Sequence, residues 1–171
     1  MKKFSHLDSQ GRARMVDTSS KPVSARRAVA SALVRMSPET LERIRTGELQ
    51  KGDAFAVARL AGIQGAKQTS GLIPLCHPLS LDHVGVELFP EPDGVRIYVQ
   101  AATRGPTGVE MEAMTGATVA GLALIDMIKS GDRAAGLTDL RLELKEGGKS
   151  GRWERDGFSD PWATDETGDL K

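Results

Sequence analysis

The densest group of side chains able to do chemistry lies in residues 67–83, KQTSGLIPLCHPLSLDH. Cys76 and His77 lie between Pro74 and Pro78, and each proline fixes its own φ angle and disfavours helix at the residue before it. A stiffened loop is a good place for a positioned functional group. Either the thiol and the imidazole contact a ligand, or Cys76 is a small buried residue and His77 bonds to backbone.

The same loop offers a set of metal-ligating residue types, formed by Cys76, His77, Asp82 and His83. Structural zinc sites hold their ligands at characteristic short spacings, which this set does not have. A metal-dependent hydrolase built on His77, Asp82 and His83 is therefore a minor alternative. We expect neither a metal nor an organic cofactor.

Acidic residues mark a second segment, TGVEMEAMT, which opens a long apolar stretch of helical pattern. Glu110 and Glu112 have the residue type of a catalytic carboxylate pair, but acids in a first helical turn are also favoured by the helix dipole. Near the end of the stretch, Asp126 and Lys129 are i,i+3 neighbours within LALIDMIK, and one interpretation is a surface ion pair worth a few tenths of a kcal/mol. Charges among apolar neighbours cost free energy unless they are paired or used, so this pair is a candidate for function.

The distance between Glu112 and Asp126 limits how they can work together. They differ by fourteen positions, which is roughly 21 Å of helix. Either the two acids serve different sites, or Glu112 precedes the helix, or one site is completed across a subunit interface. We prefer the interface, because the predicted sheet leaves one face for a partner.

Positively charged side chains form a third group, whose chemistry suits phosphate, although each is also a typical solvated surface residue. The group comprises Arg26, Lys51, Lys67, Lys129, Lys145 and Lys149. Lys149 lies in GGKSG, but Glu143 stands where a Walker phosphate loop needs its first glycine, and no helix follows. The pattern excludes a Walker site and leaves a glycine-rich segment that can close over a phosphate.

The elements that must position these groups follow the order β, two helices, β, β, α, β. Strands are predicted at residues 24–35, 82–89, 95–99 and 140–144, and helices at residues 37–47, 53–69 and 109–129. The alanine content of residues 24–35 leaves a helix as the alternative there. With the early helices counted as one crossover, this is the ferredoxin-like β-α-β-β-α-β order, an α+β fold with helices on one face of an antiparallel sheet. Glycines 62 and 65 in the second helix would let another backbone approach closely.

The composition fits one globular domain over residues 1–171, with mobile polar arms at roughly 1–20 and 150–171. Hydrophobic residues make up 39%, enough for a core. The 23 basic and 23 acidic side chains balance, which argues against a nucleic-acid or membrane partner. A single cysteine, and no apolar run behind MKKFSHLDSQ, predict a cytoplasmic protein.

Six segments, in their order and spacing, resemble the cyclic pyranopterin monophosphate synthases, the MoaC family of molybdenum-cofactor biosynthesis. They are MVDTSSK, KGDAFAVARLAGIQGAK, LIPLCHPL, TGVEMEAMT, IDMIK and GGKSG, and the resemblance covers roughly residues 5–152. It implies an enzyme that rearranges a 3′,8-cyclo-7,8-dihydroguanosine triphosphate to cyclic pyranopterin monophosphate and releases pyrophosphate, with no redox step. It also implies a ferredoxin-like fold and a homohexamer, a trimer of dimers, with sites at subunit interfaces.

The resemblance further implies roles for individual residues. Asp126 would be the acidic catalytic residue, and Lys51 and Lys129 the catalytic lysines. The substrate pocket would be lined by Leu75, Cys76, His77, Met111 and Glu112, with Glu110, Arg26, Lys67, Lys145 and Lys149 in its neighbourhood. We expect the two lysines to move protons, Asp126 to orient one of them and His77 to position the substrate.

A non-catalytic binding module is the remaining alternative, because many small ferredoxin-like domains only bind. The embedded Asp126 and Lys129 argue against it. Departures from the family pattern at Pro106, Gly116 and Ile125 do not touch the implied catalytic residues.

Overall fold

The fold is described for residue 8 and residues 10–163 by a computed structural model. In chain order the elements are β1 (Ser24–Arg35), α1 (Pro38–Arg45), α2 (Ala54–Lys67), α3 (Thr69–Leu72), β2 (His83–Glu91), β3 (Gly94–Gly105), α4 (Glu110–Ile128), β4 (Gly136–Glu146) and β5 (Trp153–Glu154). The predicted strands and the three longer helices are confirmed. The single turn α3 and the short strand β5 are additions that the sequence pattern did not predict.

The strands form one antiparallel sheet in the order β2-β3-β1-β4-β5. Its first four strands have the ferredoxin-like arrangement, in which β1 lies between β3 and β4. The predicted α+β class and topology are confirmed. β5 extends the edge of the sheet beyond β4 by two residues.

The central strand β1 is buried on both of its faces. Ala28, Ala30, Ala32 and Val34 point to the helices and belong to the hydrophobic core, as the alternation predicts. The intervening residues Val29, Ser31 and Leu33 are also at most 1% exposed. The second face of the sheet is therefore covered at β1 within this chain, so the expectation that this face is left for a partner is wrong there.

Helices α2 and α4 pack against each other at very short range on the helix side of the sheet. A Cβ atom built on Gly65 would lie 2.6 Å from Cβ of Val119, and one on Gly62 would lie 3.1 Å from Cβ of Ala120. Only glycine fits this spacing at position 65, so the expected close backbone approach is present. The contact fixes α4, which carries acidic residues at both of its ends.

Side-chain caps set the starts of the two earlier helices. The Ser37 hydroxyl accepts a hydrogen bond from the Thr40 amide at the start of α1. Asp53 accepts from the amides of Phe55 and Ala56 at the start of α2. Such caps satisfy amides that have no partner inside the helix. The cap at Asp53 also fixes the chain direction just after Lys51.

Residues 155–163, which follow β5 and which we call the C-terminal strap, lie against the sheet face opposite the helices. Phe158 contacts Tyr98 of β3, with ring centroids 6.1 Å apart, and Trp162 lies against Gly85 of β2. Part of the predicted arm at 150–171 thus has a defined place on the sheet. Residues 1–7, 9 and 164–171, which the predicted arms include, lie outside the described residues.

α4 is long and apolar enough to match a membrane span by length and composition, but more than half of its apolar stretch is buried in the fold. It packs on the sheet and on α2, as the core helix of a folded domain does.

Candidate active site

The loop after α3 and the first turn of α4 enclose a cavity of about 270 Å³, which we call the His77 pocket. Leu75, Cys76 and His77 line one side, and Met111 and Glu112 line the other. The turn at α3 returns the chain towards α4, and Cys76 N donates to the Ile73 carbonyl at 3.1 Å. The five residues that the resemblance places in the substrate pocket are thus brought together around one cavity.

His77 ties this loop to the N-terminal part of the chain. Its Nε2 atom lies 2.8 Å from the carbonyl oxygen of Val16. A carbonyl only accepts, so Nε2 carries the hydrogen and donates it. The Nδ1 atom of a neutral His77 is then left as an acceptor. Val16, Thr18 and Lys21 also line the His77 pocket.

Glu112 is a buried carboxyl group, with 5% of its surface exposed. Burial raises its pKa, and the nearby negative charge of Glu110 adds to the rise. Burial also raises the pKa of the Cys76 thiol, helped by the charge of Glu112. Cys76 is therefore suited to contact a ligand as a neutral thiol rather than to attack it as a thiolate.

A second cavity of about 1230 Å³, which we call the basic cleft, adjoins the His77 pocket. Arg26, Lys145 and Lys149 contribute its cationic groups together with Lys21, which also lines the His77 pocket. The Lys145 ammonium pairs with the Glu110 carboxylate at 3.0 Å, and Glu110 lines both cavities. The cleft offers charged donors of the kind that bind phosphate oxygens.

Arg26 of β1 hydrogen-bonds to the backbone at the end of β3, beside the basic cleft. Its Nε donates to the Gly105 carbonyl at 3.3 Å and its Nη2 to the Pro106 carbonyl at 3.4 Å. Gly148 lies directly against the same guanidinium group, where any side chain at that position would collide with it. Gly148 also has φ of +70°, which favours glycine.

Asp126 accepts hydrogen bonds from two lysines at the far end of α4. Lys129 Nζ lies 2.5 Å from its Oδ1, and Lys51 Nζ lies 3.1 Å from its Oδ2 and 2.6 Å from its carbonyl oxygen. The bond from Lys129, then that from Lys51, holds the pKa of Asp126 below its usual range. All three side chains are exposed, so the expectation that Asp126 and Lys129 are embedded among apolar neighbours is wrong. The lysine–aspartate cluster is open to a ligand.

The lysine–aspartate cluster and the His77 pocket lie at opposite ends of α4. This helix runs unbroken over 19 residues, or about 28 Å. Glu112 lies inside α4. The alternative that Glu112 precedes the helix, and could therefore reach the site of Asp126, is wrong. Within one protomer the two groups of residues cannot contact the same small molecule.

Some candidates from the sequence do not join these groups. Lys67, the last residue of α2, is exposed and lines neither cavity. Asp82 Oδ2 accepts from the Arg104 amide at 2.8 Å, which gives it a structural partner. Within residue 8 and residues 10–163, no three His, Cys, Asp or Glu side chains are grouped to hold a metal ion.

Sequence reasoning missed Val16, Thr18 and Lys21 as pocket residues. The segment MVDTSSK carries part of the family resemblance, but its spacing alone gives no indication of which residue faces a ligand. The signal that identifies Lys21 is spatial, because it lies where the two cavities meet.

Comparison with known proteins gives a consistent answer. Residues 15–148 match the model of the MoaC family. The chain is 56% identical to the cyclic pyranopterin monophosphate synthase of Dinoroseobacter shibae over 156 residues, which are 90% of this chain and 99% of the relative. It is 53% identical over 156 residues to the enzyme of the same name from Cereibacter sphaeroides strain KD131, with 90% and 98% covered.

Proposed function

Since the chain belongs to the MoaC family, we propose that it is a cyclic pyranopterin monophosphate synthase in molybdenum-cofactor biosynthesis. Its substrate is 3′,8-cyclo-7,8-dihydroguanosine 5′-triphosphate, and its products are cyclic pyranopterin monophosphate and pyrophosphate. The reaction is that of a phosphorus–oxygen lyase and needs no cofactor. We propose that the enzyme works in the cytoplasm, in keeping with its single cysteine.

The observation that carries this proposal is the pairing of Asp126 with both Lys51 and Lys129. Opening and re-closing the guanine-derived ring needs proton transfers, for which lysines are suitable acids and bases. The ionised Asp126 holds both ammonium groups at fixed positions while the cluster stays open. We assign the proton transfers to Lys51 and Lys129 and the orientation of Lys129 to Asp126.

The basic cleft supplies what the triphosphate needs. A triphosphate carries about four negative charges at neutral pH, and arginine and lysine provide compensating donors. Formation of the cyclic phosphate requires a sugar hydroxyl to attack phosphorus in line with the leaving pyrophosphate, whose charge the cations stabilise. We assign Lys145 and Lys149 to the phosphates. In the adjoining pocket, Leu75, Cys76, His77, Met111 and Glu112 hold the ring system.

We propose that one active site combines two protomers of a homohexamer built from three dimers. One protomer supplies the His77 pocket and the basic cleft, and its partner supplies the lysine–aspartate cluster. This arrangement is supported by the roughly 21 Å of helix between Glu112 and Asp126. A symmetric dimer would hold two such sites, because an interface with twofold symmetry pairs each patch with its counterpart twice.

The test is pyrophosphate release, with parallel detection of the pterin product, when the purified protein meets the cyclic dihydroguanosine triphosphate in excess chelator. We expect turnover, and we expect it to be lost in Lys129→Ala. Lys129→Arg is the matched variant, because arginine keeps the charge beside Asp126 but remains protonated. Loss of activity in both variants supports proton transfer by Lys129, and an active Lys129→Arg limits its role to charge.

Other outcomes separate the alternatives. Turnover that appears only after a divalent metal is added would establish a metal-dependent enzyme. Tight substrate binding by folded protein without turnover, with or without metal, would establish a binding module. Full activity of a monomer, measured by sedimentation under assay conditions, would refute the two-protomer site.

A further inference from the structure

The strand β5 turns the glycine-rich segment into the loop of a β-hairpin. Lys145 of β4 is the register partner of Trp153, and Leu144 is the partner of Glu154. Residues 147–152 are thereby closed at both ends, with Lys149 near the middle. Family-model similarity ends at residue 148, so the returning strand and the strap behind it belong to the part of this chain beyond the match.

Ion pairs fasten the base of this hairpin. Arg152 pairs with Glu146 on the outgoing strand and with Glu154 on the returning strand. Glu146 also pairs with Arg27 of β1, at 3.3 Å. The start and the end of the loop are thus held together and held to the centre of the sheet.

The C-terminal strap fixes the returning strand by crossing the sheet. The backbone amide of Arg155 donates to the Glu143 carbonyl at 2.8 Å, and the side-chain Nε of Arg155 donates to the Leu142 carbonyl at 3.0 Å. Further along, Asp160 pairs with Arg27 at 2.5 Å, and both side chains are less than a quarter exposed. Arg27 therefore contacts both the base of the hairpin and the strap.

The hairpin loop lies against the basic cleft. Gly147 and Gly148 both have positive φ and lie directly against Ala25 and Arg26 of β1. Gly148 and Lys149 line the cleft itself. The loop is thus confined at its base by Arg152 and on one side by Arg26.

We propose that the hairpin base and the C-terminal strap are a positioning device for Lys149, with Arg152 as its positioning residue. This inference rests on the proposed function, in which Lys149 binds a phosphate of the substrate. A lysine on an open glycine-rich segment loses conformational freedom when it binds, and fixing the loop beforehand reduces that cost. Arg152 acts through Lys149 and does not itself touch the substrate.

The experiment compares Arg152→Gln, Lys149→Ala and the double variant. We expect Lys149→Ala to raise the KM about tenfold. Arg152→Gln should raise it about threefold while kcat stays within about twofold, because ground-state binding of phosphate is lost. In the Lys149→Ala background, Arg152→Gln should have no further effect, since the residue it positions is absent.

A second readout does not depend on turnover. Calorimetric titration with tripolyphosphate should show weaker binding for Arg152→Gln only when Lys149 is present. A chain that ends at Arg152 should behave like Arg152→Gln in both assays, and if it fails to fold, the point variant carries the test. Arg35→Gln is the matched control, because Arg35 forms an exposed pair with Asp93 at the opposite end of β1.

An unchanged KM and unchanged tripolyphosphate binding in Arg152→Gln would overturn the inference. If Arg152→Gln raised the KM by the same factor in the wild type and in the Lys149→Ala variant, the inference would also be overturned, because Arg152 would then act independently of Lys149. If the wild-type protein lacks turnover, the proposed function fails, while the tripolyphosphate titration still decides whether Arg152 positions Lys149.

Discussion

Replacing Gly65 with alanine tests whether the short distance between α2 and α4 is as rigid as the packing indicates. The new methyl group would lie 2.6 Å from Cβ and 2.8 Å from Cγ2 of Val119, whereas carbon atoms at optimal contact are about 3.5–4.0 Å apart. The two helices must therefore move apart by about 1 Å at this point, or Val119 must leave its preferred geometry.

The size of the effect follows from two opposing contributions. Overpacking of this kind costs about 1–3 kcal/mol, and alanine returns up to about 1 kcal/mol through its better helix propensity. With about 1 kcal/mol returned, the net loss is about 0–2 kcal/mol, which corresponds to a fall of up to about 8 °C in the thermal midpoint for a chain of this size. Scanning calorimetry at one fixed protein concentration measures it, since the proposed subunit association would also shift the midpoint.

Gly71→Ala is the matched control for Gly65→Ala. Gly71 lies in α3, where the nearest atom to a built Cβ is 3.9 Å away and φ is not in the left-handed region. We expect its midpoint to equal or exceed that of the wild type. A Gly65→Ala midpoint at or above that of Gly71→Ala would refute the reasoning, because the helices would then separate at no cost.

Three further variants test other parts of the molecule. Asp126→Asn should abolish turnover but leave the thermal midpoint within about 1 °C, because exposed ion pairs contribute little stability; a large fall would show a structural role. Glu112→Gln should be stabilising relative to the wild type at pH 8 and less so at pH 5, as measured by thermal melts. The raised pKa of Glu112 means that the folded state retains a proton that the unfolded state has lost, so wild-type stability falls as pH rises above the ordinary value of 4.5; a pH-independent difference would contradict this. Gly85→Leu should displace Trp162, because a built Cβ alone already lies 3.0–3.1 Å from the indole ring and a longer side chain overlaps it, and tryptophan emission should shift to the red; unchanged emission would show that the strap does not rest there.

The elements of this fold were predictable where the pattern is local. Alternating apolar residues identify β1 and the β2–β3 hairpin, and Ser37 caps α1 as its residue type and the proline after it indicate. β5 was not predictable, because two residues carry no periodic signal and their pairing with β4 depends on the strap. The polar composition of residues 150–163 suggested an arm, whereas Phe158 and Trp162 pack on the sheet.

The residue types of the candidate site, and their separation into two groups along α4, were predictable from the sequence. The cavities that these residues line were not. Chemistry and resemblance singled out Asp126, Lys129 and Lys51, but the sequence does not show that Lys51, from the loop before α2, meets Asp126. The role of Lys21 depends on the way residues 16–21 fold against His77. Such long-range contacts follow from the tertiary fold, which local propensity does not encode.

The two acidic ends of α4 have a genetic consequence in the proposed dimer. If Glu112 of one protomer and Asp126 of the other serve the same site, a mixed dimer of Glu112→Gln and Asp126→Asn subunits concentrates both lesions in one site. Its other site then contains only wild-type residues. Where each variant is inactive by itself, the two proteins, unfolded and reassembled together, would recover about a quarter of wild-type activity, since random association gives half mixed dimers with one intact site of two. A single helix would thereby make catalysis a property shared between neighbouring chains.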